Sequence, residues 1–257
     1  MKVLLLAGGM GTRLSEETVL KPKPMVEIGG RPIIWHIMKL YSYFGHNDFV
    51  VLLGHKGYVL KEYFANYFLH QSDVTIDLTS NKMEIHNNAS EPWRITLLDT
   101  GEATMTGGRV KRAQSFVGEQ TFLLTYGDGL SDIDMNAQLR FHREKGGLIT
   151  MAAVQPDGRF GTFEAASNHL VRQFLEKPQG DGSWVNGGFF VCEPKIFDFI
   201  PDGDQIIFEQ QPLQALAAAG EMFSYQHNGF WKCMDTLRDK KELNDLWKSS
   251  NPPWKVW

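Results

Sequence analysis

Apolar positions along the chain follow two rhythms. Val3 to Ala7 is a continuous apolar run closed by Gly8 and Gly9, the pattern of a strand buried on both faces of a parallel sheet. After Pro32, residues Ile33, Ile34, Ile37, Leu40, Tyr41 and Phe44 recur at helical spacing, and Phe49 to Leu53 reads as another buried strand. Strand, helix, strand is a βαβ unit. The pattern continues with a helix over Tyr58 to Leu69, strands at Ile95 to Leu98 and Thr121 to Tyr126, and a helix over Ile133 to Arg143. Such alternation predicts a doubly wound α/β core.

From about Leu148 the rhythm becomes strand-like, with runs at Ile149 to Val154, Gly161 to Ala165, Leu170 to Leu175 and Val185 to Val191, punctuated by Gly, Pro and Asp. Here the sheet is expected to become mixed. Helices are expected after Glu193, around Glu209 to Ala219 and over Thr236 to Lys248, before the tail Asn251 to Trp257. Polar, strand-prone sequence between Gln71 and Arg94 suggests a hairpin over Val74 to Ile85. No internal repeat or low-complexity linker divides the chain, and 257 residues suit one α/β domain.

Composition narrows the function. A formal charge of -4 offers no general basic footprint for nucleic acid. No apolar run reaches the length of a membrane span, and the opening MKVLLLAGGMGTR lacks the cleavage site of a secretory signal. The two cysteines, Cys192 and Cys233, stand far apart, which argues against a metal knuckle or a disulfide framework and fits the cytoplasm. Any phosphate site must therefore be local.

The strongest local signal is Leu6-Ala7-Gly8-Gly9-Met10-Gly11-Thr12-Arg13, a glycine-rich turn leaving the first strand and ending in a cation. Glycines let backbone N–H groups approach one anion, and Arg13 adds a charge-assisted fork. The dinucleotide-binding pattern would need glycine where Leu14 stands, and no Walker Gly-Lys-Ser/Thr follows. Ten residues on, Lys21-Pro22-Lys23-Pro24 presents two ammonium groups from a backbone held extended by proline. The histidines show no ligand spacing such as HExxH.

Together these segments, running on through Met25-Val26-Glu27-Ile28-Gly29-Gly30-Arg31-Pro32, resemble the N-terminal signature of the sugar-1-phosphate nucleotidyltransferases. Further landmarks of that family follow in order: Tyr126-Gly127-Asp128-Gly129, Phe160-Gly161, Glu176-Lys177-Pro178, Val185-Asn186-Gly187-Gly188 and Trp231-Lys232-Cys233-Met234-Asp235-Thr236. Taken singly, each also reads as a turn, a helix cap or a surface ion pair. Taken in order, they extend the resemblance over nearly the whole chain.

The resemblance implies a Rossmann-like mixed sheet of the nucleotide-diphospho-sugar transferase type in one domain, 1–257. Residues 1–147 would mainly bind nucleotide, 148–235 sugar, and 236–257 would form a C-terminal helix and tail. It implies that Leu6 to Arg13 hold the triphosphate, that Arg13 and Lys23 are catalytic, and that Asp128 and Asp235 hold one Mg2+. Phe160, Gly161, Glu176, Lys177, Asn186 and Gly187 would hold the sugar phosphate. Asp235, directly before a predicted helix, would cap that helix as well as ligate metal.

Asp99-Thr100-Gly101-Glu102-Ala103-Thr104-Met105-Thr106-Gly107-Gly108-Arg109 occupies the place where these enzymes approach the base, and it resembles the cytidylyltransferases that act on glucose 1-phosphate. Thr104, Gly108 and Arg109 are the candidates there. Arg109 alone reads equally well as a solvent-facing arginine near a helix start. The expected substrates are CTP and glucose 1-phosphate, the expected product CDP-glucose for surface polysaccharide synthesis such as lipopolysaccharide O-antigen, and the expected assembly a homo-oligomer. Two alternatives stay open: transfer of another nucleotide, and a nucleotide-sugar-sensing regulatory subunit without catalysis.

Overall fold

The computed structural model describes residues 1–11, 14–156, 162–165, 171–175 and 183–257. The first apolar run forms strand β1 (Lys2–Ala7) at the middle of a seven-stranded sheet. Strands β2 (Asp48–Leu53) and β3 (Arg94–Asp99) extend the sheet on one side, each parallel to its neighbour. On the other side lie β4 (Phe122–Tyr126), then, in chain order, β5 (Ile149–Val154), β6 (Val185–Cys192) and β7 (Met222–His227). The spatial order is β7-β5-β6-β4-β1-β2-β3, and β6 alone runs against both its neighbours. The mixed sheet expected from the change of rhythm after Leu148 thus arises from one reversed strand.

Continuous apolar runs are needed because both faces of the sheet are covered. Val3, Leu5 and Ala7 enter one core with Phe49, Val51 and Leu53, while Leu4 and Leu6 enter the opposite core with Val50 and Leu52. Period-2 alternation therefore divides each run between two apolar layers. Each fully buried Leu or Val in such a run stabilises by roughly 2 kcal/mol relative to exposure. The first layer is roofed by helix α1 (Ile33–Tyr43), the C-terminal helix and the fully buried Trp254 of the tail. The second is roofed by Val110, Phe197, Phe208 and Leu216.

Several expectations are corrected. The helix expected over Tyr58 to Leu69 is two pieces, Gly57–Ala65 and Tyr67–His70, joined at Asn66. The segment after Glu193 is a 3-10 turn, Pro194–Phe199. Thr162–Ala165 and Val171–Leu175 pair with each other in a separate antiparallel sheet and do not join the central one. Edge strand β7 escaped the sequence reading because Ser224 and Gln226 interrupt its apolar residues on a partly exposed edge. The hairpin is present, as Ser72–Asp77 paired with Lys82–Asn88. Among the described residues no helix is long and apolar enough to cross a membrane.

Candidate active site

At the carboxyl end of β1 the chain must turn between tightly packed neighbours. A side chain at Gly8 would place its Cβ 2.3 Å from the Arg109 guanidinium, so only glycine admits this approach. Gly127 N–H donates to the Leu6 carbonyl at 3.0 Å, locking the end of β4 to the end of β1. Both glycine-bearing turns therefore open on the same side of the sheet, the switch-point position at which doubly wound folds bind ligands.

Lys23 lies in a single 3-10 turn, Lys23–Met25, entered from an extended Pro22. Its ammonium donates to Asp128 Oδ2 and to Asp235 Oδ1, each at 2.6 Å. The two carboxylates meet because a short ladder pairs Gly129–Ser131 with Trp231–Cys233, and Met234 N–H donates to the Asp128 carbonyl at 2.9 Å. Burial pulls the Lys23 pKa down, but attraction from and hydrogen bonding to Asp128 and Asp235 together outweigh it, so the pKa is raised. Cys233 donates its thiol hydrogen to Asp235 Oδ2 at 3.5 Å. Burial, with Asp235 and Asp128 adding to it, pushes that thiol up to about 12.

Asp235 does not cap the C-terminal helix α2 (Leu237–Lys248), contrary to the dual role expected. Thr236 is the cap: its hydroxyl accepts from Asp239 N–H, and Asp239 Oδ2 accepts from the backbone N–H of Thr236. This reciprocal capping box satisfies the helix end without Asp235. Asp239 Oδ2 also accepts from the Asp235 N–H at 3.0 Å, fixing its backbone while its carboxylate faces the cleft. Helix α2 in turn grips the N-terminal loops, through Lys240 to Glu17 at 2.5 Å and Asn244 Oδ1 accepting from Gly29 N–H at 3.0 Å.

Two clefts meet at this cluster. The larger, about 490 Å³, is lined by Leu6 to Gly11, Lys23, Pro24, Glu102 to Thr106, Arg109, Tyr126, Gly127, Asp128 and Asp235. The smaller, about 280 Å³, is lined by residues including Asn186, Gly187 and Trp231. Tyr126, Asp128 and Asp235 line both. The Tyr126 hydroxyl donates to Glu209 Oε1 at 2.5 Å and accepts from Asn186 Nδ2 at 3.4 Å, and Thr106 donates to Glu209 Oε2 at 2.7 Å. Glu209 thus anchors one wall of each cleft.

Leu6, Ala7, Gly8, Gly9, Met10, Gly11, Lys23, Thr104, Arg109, Asp128 and Asp235 are brought together, and Asn186 and Gly187 stand in the adjoining cleft. Gly108 packs instead against the backbone of Gly203. Arg109 is not the solvent-facing arginine that one reading allowed: it is 4% exposed. Its guanidinium donates to Leu53 O, Thr100 Oγ1, Gly101 O, Gly8 O and Glu102 O. Thr12, Arg13, Phe160, Gly161, Glu176 and Lys177 lie outside the described residues. Tyr126, Glu209, Glu102 and Trp231 were not singled out from sequence. Glu102, Tyr126 and Trp231 were within reach, since all three fall inside the motifs named above, whereas nothing in the local sequence marks Glu209.

Comparison with known proteins agrees with this geometry. The chain is 55% identical to glucose-1-phosphate cytidylyltransferase of Salmonella typhimurium over 100% of both chains. It is 43% identical, again over 100% of both, to a probable glucose-1-phosphate cytidylyltransferase of Bacillus subtilis. The crystal structure of HddC from Yersinia pseudotuberculosis shares the fold, with a TM-score of 0.71 at 21% identity over 96% of this chain and 99% of that one. A family profile described as nucleotidyl transferase matches residues 2–245, and the chain belongs to that family.

Proposed function

We propose that this protein transfers a cytidylyl group from CTP to α-D-glucose 1-phosphate, giving CDP-glucose and pyrophosphate. The observation that carries the reading is the Lys23 bridge between Asp128 and Asp235 at the junction of the two clefts. Full-length relatives with this activity in their names support the choice of nucleotide and sugar.

Enzymes of this family generally use a divalent metal. The residues present fit such an ion. Two carboxylates on a rigid ladder already embrace one cation, and hard oxygen donors are what Mg2+ prefers. Among the described residues no group of three or more His, Cys, Asp or Glu is placed to hold a metal ion, which suits an ion that takes its remaining ligands from substrate phosphate and water. In this reading Asp128 and Asp235 hold Mg2+, which when bound polarises the α-phosphate and offsets its charge.

The remaining work falls to the chain's own groups. The glycine turn Gly8 to Gly11 cradles the triphosphate, and Lys23, on the same wall, turns its ammonium from the carboxylates to the reacting phosphates. Arg13 stabilises the departing pyrophosphate. Asn186 and Gly187, with Phe160, Gly161, Glu176 and Lys177, hold the sugar phosphate, and Thr104 and Arg109 stand on the base side. The attacking phosphate oxygen arrives ionised and needs no general base, so alignment and charge neutralisation carry the reaction.

The same reading places residues 1–147 mainly on the nucleotide and 148–235 mainly on the sugar, in a cytoplasmic enzyme supplying CDP-glucose to O-antigen synthesis. A homo-oligomer is supported by the hairpin Ser72–Asp77/Lys82–Asn88, whose Ile76, Met83 and Ile85 are exposed around a two-stranded ribbon of little intrinsic stability. The test is mass spectrometry of the product formed from CTP and glucose 1-phosphate with Mg2+, beside a chelated control. CDP-glucose that disappears on chelation supports the reading, and its absence in both arms contradicts it.

A further inference from the structure

Among the described residues, polar side chains lining the larger cleft away from Lys23, Asp128 and Asp235 are, with one exception, committed elsewhere in the protein. Thr104 Oγ1 donates to Asp204 Oδ1 at 3.2 Å and accepts from Arg112 at 2.8 Å. Thr106 donates to Glu209 and accepts from Phe208 N–H. Tyr126 is bound to Glu209, and the Arg109 guanidinium is spread over carbonyls and one hydroxyl of its own chain. Lys23, Asp128 and Asp235 hold one another at the reacting end.

Glu102 is the exception. Its side chain is 73% exposed, and Oε1 meets His55 Nδ1 at 3.0 Å. Among the described residues Oε2 has no hydrogen-bond partner. Its position is nonetheless built. Arg109 donates to the carbonyls of Gly101 and Glu102 at 2.7 and 3.1 Å. Gly101, at φ +85°, closes the turn with its N–H on Asp99 Oδ1. His55 steers the carboxylate from the bend after β2, and its backbone N–H donates to the Gly8 carbonyl at 3.2 Å, the same carbonyl that Arg109 holds.

We propose that Glu102 is the specificity-determining residue that reads the exocyclic amino group of cytosine, with His55 as its positioning residue. The proposal rests on the cytidylyl reading above. A carboxylate only accepts hydrogen bonds. Cytosine offers an amino donor at C4, where uracil and thymine offer a carbonyl acceptor. The same oxygen that accepts from the cytosine amino group therefore repels the uracil carbonyl. Arg109 then acts on the base indirectly, by fixing the turn that carries the reader.

A charge-assisted hydrogen bond in a partly open cleft discriminates by about 10- to 100-fold. The test compares kcat/KM for CTP and UTP in the wild type, Glu102→Gln, Glu102→Ala and His55→Ala, with calorimetric Kd values for both triphosphates in the absence of sugar phosphate. In Glu102→Gln the CTP-to-UTP ratio should fall by about 10- to 100-fold, through weaker CTP binding and stronger UTP binding, because the amide donates to the uracil carbonyl. His55→Ala should lower the ratio less, by about 3-fold. Glu102→Ala, at an exposed side chain, serves if the glutamine variant does not fold. A wild-type ratio retained in both Glu102 variants, or equal losses for both triphosphates, overturns the proposal while leaving the cytidylyl reading standing. A wild type that does not prefer CTP overturns that reading, and the proposal with it.

Discussion

Lys23 and Asp128 stand 105 positions apart in the chain, yet their side chains meet at 2.6 Å. The same ammonium holds Asp235 equally closely, so one cation reconciles two acids that would otherwise face each other across a half-buried site. A divalent ion would do the same. In the proposed reading such an ion frees Lys23 for the phosphates.

Removing that ammonium should expose the conflict. In Lys23→Met, measured without metal, stability should fall by about 1–3 kcal/mol, below the usual cost of breaking a fully buried pair because Asp128 remains partly exposed. Added Mg2+ should raise the melting temperature of the variant more than that of the wild type. Differential scanning calorimetry with and without Mg2+ checks this, and an equal metal response in both proteins would contradict it.

Asp235→Asn should lower turnover by at least about 100-fold while leaving the helix start intact, because Thr236 and Asp239 form the cap without it. Thr236→Ala should do the reverse and cost about 1 kcal/mol of stability with a smaller effect on rate. Rates and urea unfolding of the two variants separate the roles.

Gly29 should tolerate no side chain. Its φ is +59°, and a Cβ there would lie 1.9 Å from the Trp247 indole of α2. Gly29→Ala should therefore cost roughly 2–3 kcal/mol through backbone strain and overpacking. The turnover rate should fall as well, because the short strand Glu27–Ile28 links this turn directly to Lys23–Met25. Chemical denaturation and initial rates check both effects.

Acid should loosen the C-terminal tail. His36 is wholly buried, with Nε2 hydrogen-bonded to the Ile28 carbonyl at 2.9 Å and Trp254 Nε1 donating to Nδ1 at 3.4 Å. Burial, chiefly, lowers its pKa from 6.5 to about 4. Between those values the unfolded chain binds the proton and the folded one does not, so stability is full above pH 6.5 and declines as pH falls towards 4. His46, also lowered to about 4 by burial, adds to the slope. Unfolding followed by tryptophan fluorescence from pH 7 to pH 4 should show this loss, and His36→Gln should flatten about half of it.

The sheet was legible because β1, β2, β4 and the second half of β6 carry apolar runs whose residues divide between the two cores, Val3 to Ala7, Phe49 to Leu53, Phe122 to Leu124 and Phe189 to Cys192. Edge strand β7 was not, since Ser224 and Gln226 meet solvent and break the run. Asp128 and Asp235 were legible as landmarks after strands, but their meeting through Lys23 depends on a ladder between Gly129–Ser131 and Trp231–Cys233 that neither segment announces. The burial of Arg109 was equally hidden: its five acceptors lie at or just beyond the ends of β1, β2 and β3, which only the folded sheet assembles. Glu209, which reaches Tyr126 from 83 positions away, carries no local signal at all.

The most direct test is pyrophosphate release from glucose 1-phosphate and Mg2+ with CTP, UTP, dTTP, GTP and ATP in parallel, beside Lys23→Ala. Release with CTP far above the others, and lost in the variant, is the predicted result. Activity centred on another triphosphate would contradict the cytidylyl assignment, and silence with all five would contradict catalysis itself and favour a nucleotide-sugar-sensing subunit.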